Sequence, residues 1–215
     1  MRLSRLLFSA AIPAVVFGPA PAAAYDTTWY KTDFWAGEYP AGFTLTSDVS
    51  AMIRREPLPD APRDIECAMK KDETYHPWNG DRVKASKLEF LTYVKKITYV
   101  LSADSEILLV DEKTESDIEV PFRAGDEWTY LTYYGEGMFR LEFRGKEYGA
   151  DQSLFEVSRE KGKTGSDTDH DHHEWLRLTC ANGATGWLLL DDVLDLPEYE
   201  KPDFPEYGRA EDRKP

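Results

Sequence analysis

The sequence predicts a mostly β protein: two small β-barrel modules, with an aromatic segment ahead of them and a flexible acidic tail behind. Three observations carry this. Short apolar runs recur at spacings of about ten residues, turn compositions such as DEKTESD, RAGDE and RGK divide them, and a single stretch offers a helical period. Many short strands joined by frequent turns describe barrels rather than a helical bundle.

Residues 1–24 read as a cleaved secretory signal. Arg2 and Arg5 form a basic start, Leu6 to Phe17 an apolar stretch, and Ala22-Ala23-Ala24 the small residues at the cut, so the mature chain is expected to begin at Tyr25. About a dozen apolar residues interrupted by Pro13 fall short of a bilayer core of ~30 Å. Leu3 and Ser4 separate the arginines, which argues against a twin-arginine signal, and no cysteine stands near the cut to accept a lipid. The expected location is periplasmic or secreted, with no membrane insertion after cleavage.

The formal charge of the 215 residues is -14, and the mature chain loses Arg2 and Arg5 besides. Binding a polyanion depends on releasing its counterions onto Lys and Arg, so nucleic acid is excluded as a partner and anionic membrane surfaces repel the chain. Cys67 and Cys180 both fall in the exported part. An even pair in an oxidising compartment is expected to be bridged, here stapling the two modules into one unit.

The segment from Tyr25 holds Trp29, Tyr30, Phe34, Trp35 and Tyr39 and is expected to pack across the first module, since these five rings exposed together would make an adhesive patch. The first module runs over 25–102 with that segment. Phe43 and Leu45 alternate with threonines, Val49, Met52 and Ile53 follow, EPLPDAPRD is a turn region, and Ile65 to Met69 is a strand. From Val83 to Ile97 apolar residues fall loosely at helical spacing, yet Thr92, Tyr93, Thr98, Tyr99 and Val100 favour strands, and strands are the reading taken. The second module, 103–195, contains runs at 107–110, 118–122, 128–134, 138–143 and 154–157. Phe139 to Phe143 alternates strictly, Arg144-Gly145-Lys146 supplies a hairpin turn, and a last hairpin turns at Asn182-Gly183. Residues 196–215, rich in proline and charge, bury too little apolar surface to order themselves and read as the tail.

Glu174-Trp175-Leu176-Arg177-Leu178, the Asn182-Gly183 turn, and Gly186-Trp187-Leu188-Leu189-Leu190 with Val193 resemble the closing half of a bacterial SH3-like domain. Arg123-Ala124-Gly125-Asp126 before Trp128 to Leu131 is similar to the turn between that family's barrel strands, and Met52 to Pro57 to its opening strand, with Lys70-Lys71-Asp72 as the matching turn. The resemblance covers about 43–100 and 108–193 and implies tandem SH3-like barrels that bind wall peptides or proteins without catalytic groups. In such a hairpin, the bare glycine before Trp187 lets the large ring fold back onto the barrel wall.

Three of four histidines crowd an acidic insert, where Asp169, His170, His172 and His173 are candidate metal ligands suited to Zn or Cu. Asp167, Asp169 and Asp171 imitate the start of a calcium loop, but His172 stands where glycine is required and Leu178 where the terminal glutamate belongs. The plainer expectation is a solvated loop without a cofactor. Tyr75, His76 and Trp78 surround Pro77 as the walls of a candidate pocket, and Tyr130, Tyr133 and Tyr134 share one short segment. Period two places Tyr130 and Tyr134 on one face and Tyr133 on the other. Nucleophile elbows, zinc-protease helices and phosphate-binding glycine loops are missing from the sequence, so it reads as a non-enzyme. The expected function is an exported binding module for an envelope protein or peptidoglycan peptide. The alternatives are a periplasmic metal-binding factor and an accessory protein that caps and inhibits an enzyme.

Overall fold

A computed structural model describes residues 24–77, 88–111, 113–163 and 170–202. Residues 1–23 of the expected signal, Trp78, Val83, Asp167, Asp169 and residues 203–215 lie outside them. Among the described residues no helix is long and apolar enough to cross a membrane.

The chain is mostly β, in three antiparallel sheets. One sheet orders six strands as β1 (Trp29–Thr32), β6 (Phe90–Lys95), β14 (His172–Thr179), β15 (Thr185–Leu189), β3 (Val49–Arg54) and β4 (Arg63–Met69). A second orders seven as β13 (Ser158–Glu160), β7 (Ile97–Leu101), β10 (Glu127–Gly135), β11 (Met138–Phe143), β12 (Lys146–Asp151), β8 (Ser105–Asp111) and β9 (Ser116–Phe122). The third is small: β16 (Tyr199–Glu200), β2 (Phe43–Leu45) and β5 (Thr74–Tyr75).

The turn residues act as their chemistry dictates. Arg144 and Gly145 take φ values of 52° and 74° between Phe143 and Lys146, the two-residue left-handed turn whose twist matches a β-hairpin. Phe90, Thr92 and Val94 are buried while Leu91 and Tyr93 are half-buried, so period two and β-branching outweigh the loose helical spacing in β6.

Two expectations are corrected by strand pairing. Neither large sheet closes into a barrel: the hairpin β14–β15 is flanked by β6 and β3, which take β1 and β4 as further outer partners, so the sheet extends instead of curling shut. The division expected at residue 102 also differs from the pairing. β7 joins β10 and β13, whereas β14 and β15 join β6 and β3. The stretch 97–160 thus forms the second sheet, and its two flanks form the first and the third. Period two identifies strands and their faces, but ladder bonds come from backbone groups that every residue shares, so the partner is not written locally.

The first core lies between the six-stranded and three-stranded sheets, where Phe43, Leu45 and Tyr199 meet Ile53, Met69 and Leu178. Residues 196–202, assigned by composition to the tail, are docked into it. Tyr199 is buried, pairs with Leu45 and sets its ring edge-on to Phe43, and one anchored aromatic is enough to order the short segment around it. Cys67 and Cys180 are bonded inside this same core, with Cα atoms 5.2 Å apart. The bridge ties edge strand β4 to the end of β14 within one core, not one module to another. Gly186 also has a different purpose from the one expected: a Cβ there would meet the Arg54 carbonyl oxygen at 2.6 Å and Ile53 Cδ1 at 2.8 Å. Bare backbone lets β15 approach β3.

The second core gathers Trp128, Phe139, Leu141, Leu109 and Phe122 on the seven-stranded sheet. Val94 belongs to it although β6 pairs in the first sheet, so one face of β6 serves both cores. At the β8–β9 turn the Asp111 carboxylate accepts from the Lys146 ammonium and from the Lys113 and Thr114 N–H groups, which hold its carboxyl down to about 2 from an ordinary 3.8. The folded value lies below the unfolded one, so this contribution to stability is complete above about pH 4 and disappears as pH falls towards about 2. Asp111→Asn is expected to flatten the acid limb of a melting-temperature profile in that window, and an unchanged limb would refute it.

Candidate functional site

The two large sheets meet along a seam, and a cleft of about 440 Å3 opens there. Its floor is apolar: Val94 from β6, Phe139 from β11 and Phe155 from a 3-10 turn at Gln152–Val157. Tyr130 and Tyr133 of β10 form one wall, and His170 and His172 enter from the start of β14. Gln152, Glu156 and Ala36 complete the rim.

Two sequence candidates that read as unrelated therefore converge. The His170 ring stacks on Tyr130 with centroids 3.6 Å apart, and its Nε2 is hydrogen-bonded to the Tyr99 hydroxyl at 3.1 Å. His170 and His172 reach the same cleft because alternate residues of an extended segment point the same way.

The faces of β10 differ from expectation. Tyr130 pairs with Leu141, Thr132 with Arg140 and Tyr133 with Phe139, so Leu131 is an extra residue in the ladder. A bulge shifts alternation by one, which brings Tyr133 onto the face of Tyr130. Tyr134 is half-buried and does not line the cleft, and Tyr130 is buried with its phenol pushed up by that burial. The Tyr133 hydroxyl donates to Glu38 and accepts from the Gly137 N–H at 2.7 Å, while Glu136 N–H donates to Glu38 at 3.1 Å. Tyr133 foremost, through its hydrogen bond, lowers the Glu38 carboxyl below the usual range. Glu38 thereby pins the aromatic segment to the seam.

Beyond this pin the segment walls a second cleft of about 470 Å3, lined by Gly37 to Gly42, Glu174, Leu194 and Tyr199. Glu174 follows His172 by two residues on β14 and accepts from the Ala36 N–H at 2.8 Å, and burial pushes its carboxyl up. Across the sheet, Trp175 Nε1 donates to the Tyr25 hydroxyl at 2.9 Å, and that hydroxyl bonds His173 Nδ1 at 2.8 Å. An indole N–H only donates, so Tyr25 accepts from Trp175, and its hydroxyl keeps a proton and a lone pair for His173. Burial lowers the His173 imidazole's affinity for a proton and so favours the neutral ring. Tyr25 stacks on Tyr93 and Trp29 on His173, so the aromatic segment does pack across the first sheet.

The other candidates are placed differently. Tyr75 and His76 are buried and line neither cleft. Tyr75 OH donates to Glu73 at 2.6 Å, and His76 backs onto Gly42, whose missing side chain leaves room for the Tyr75 carbonyl 2.3 Å from a Cβ position. His170, His172 and His173 do not converge, because His173 points to the opposite face, and among the described residues no group of three metal-ligating side chains occurs. The sequence marks 154–157 only as an apolar run and gives no role to Phe155, Gln152 or Glu156, which the 3-10 turn brings to the cleft. The available signal was Asp151, whose carboxylate caps the turn at the Ser153 N–H. Comparison with protein families, characterised proteins and solved structures finds no match.

Proposed function

We propose that this is an exported, non-catalytic binding protein that takes a peptide segment, from an envelope protein or from peptidoglycan, into the aromatic cleft between its sheets. The observation that carries the reading is the convergence of Tyr130, Tyr133, Phe139, Phe155, His170 and His172 on one concave site. An apolar floor with aromatic walls and convergent polar groups, in a space of this size, suits a ligand site. Tyr133 and Phe155 are its half-buried rings, and such side chains bind through large rigid areas at small entropic cost. The disulfide and the mostly β architecture agree with an exported protein, and the SH3-like resemblance of the β14–β15 hairpin points to the same kind of partner.

Capture from a periplasmic extract, with purified wall fragments in parallel, tests this. Tyr133→Ala is expected to reduce capture about tenfold or more. Tyr39→Ala, on the exposed rim of the second cleft, is expected to leave it unchanged. His172→Ala, at an exposed position, serves as a second cleft variant should the first lower stability. Folded cleft variants that capture as much as the unaltered protein would overturn the proposal.

A further inference from the structure

We infer that the cleft between the sheets selects a cationic side chain, an ammonium of the lysine type carried by the bound peptide. This rests on the cleft being the peptide site and adds the chemistry that the site prefers.

The first ground is the sign of charge at the seam. Besides the two histidines, Glu156 is the charged side chain lining the cleft, and neither Lys nor Arg lines it among the described residues. Glu38 of the neighbouring cleft brings a second carboxylate up to the wall residue Tyr133, bonded to its hydroxyl and to the Glu136 N–H, with the Glu136 side chain on the same turn. Arg140 is next to the floor residue Phe139 in sequence, yet alternation turns it to the other face of β11, where Nη1 donates to the Tyr30 hydroxyl at 3.1 Å.

The second ground is where the lysines of this region went. Lys95, Lys96, Lys161 and Lys163 line a separate depression of about 550 Å3, next to Glu160 and Asp171. Lys161 pairs there with Glu127 at 2.7 Å and Lys163 with Glu160 at 3.1 Å. Positive charge is thus collected at one place and kept out of the aromatic cleft.

The third ground is the walls. Aromatic faces carry the negative end of the ring quadrupole and attract ammonium groups within about 6 Å, most strongly where water is partly excluded. His170 covers Tyr130 and Phe139 is buried, so the rings that present such faces are the half-buried Tyr133 and Phe155. A chain of formal charge -14 adds a long-range attraction for cations to that local preference.

The probes are three capped tripeptides, acetyl-Ala-X-Ala-amide, with X as lysine, norleucine or glutamate. Norleucine keeps the lysine's apolar stem and removes the charge. Titration calorimetry at about pH 8, where an ordinary histidine is neutral, is expected to give lysine about tenfold tighter binding than norleucine, and glutamate the weakest. The lysine preference should shrink as salt is raised, and Glu156→Gln, at an exposed position that leaves folding intact, should reduce it several-fold. Equal binding of lysine and norleucine, or tighter binding of glutamate, would overturn the inference while leaving the cleft as a peptide site. Binding of none of the three, together with unchanged capture by the Tyr133→Ala protein, would overturn both.

Discussion

Replacing Cys67 and Cys180 together by alanine is expected to lower the unfolding free energy by about 4–5 kcal/mol and the melting temperature by about 10–15 °C. The cross-link spans 113 residues, and a long closed loop removes much entropy from the unfolded chain. Both cysteines are buried beside Met69 and Leu178, so the variant also loses packed volume in the first core. The loop encloses all seven strands of the second sheet, whose ends at Ile97 and Glu160 lie between the two cysteines in sequence. Reduction is therefore expected to loosen the first core by separating β4 from the β14–β15 hairpin, while local pairing in β10, β11 and β12 persists. Thermal unfolding with and without reductant checks the magnitude, and hydrogen exchange resolved by segment checks the location. A melting temperature that stays within about 2 °C would refute the prediction.

Asp192→Ala is expected to cost about 3–5 kcal/mol, because it strips a buried guanidinium of its anion. Arg54 is 2% exposed, lies under the Trp175 ring at 5.2 Å from the ring centroid, and is paired with Asp192. Its remaining hydrogen-bond acceptor there is the Pro59 carbonyl at 3.3 Å. Arg63, which holds the other oxygen of Asp192, is half exposed and returns to water when the carboxylate goes. Arg54→Met combined with Asp192→Ala should be less destabilising than Asp192→Ala alone, since no unpaired charge is then left in the interior. Chemical denaturation of the three variants gives the comparison. A single variant no less stable than the double one would contradict the account.

Much of the candidate site was present in the sequence without its arrangement. The tyrosines of β10 and the histidines at the start of β14 both stood out by residue type, yet as separate features. Their meeting depends on β10 and β14 belonging to different sheets that touch at a seam. Tyr133 was assigned to the wrong face because nothing in EWTYLTYYG marks Leu131 as the bulged residue, and a bulge is set by how the strand fits its partners. Tyr75 and His76 stood out as pocket walls and are instead packing, since Gly42 lets another strand press against them.

Residue chemistry alone determined most of the strands, their buried faces away from bulges, and most turns, because alternation, β-branching and left-handed Gly positions act over a few neighbouring residues. Their even number in an exported chain led to the expectation that the two cysteines pair, and their placement 5.2 Å apart at Cα in one core decided it. Tertiary structure decided which strands are neighbours, that the sheets stay open, that Tyr199 docks the residues after 195, and that a cleft exists at the seam. The reason is that hydrogen bonds in a ladder are the same for every sequence. The choice among partners is made by how whole faces bury each other, and that is a property of the folded chain rather than of any segment.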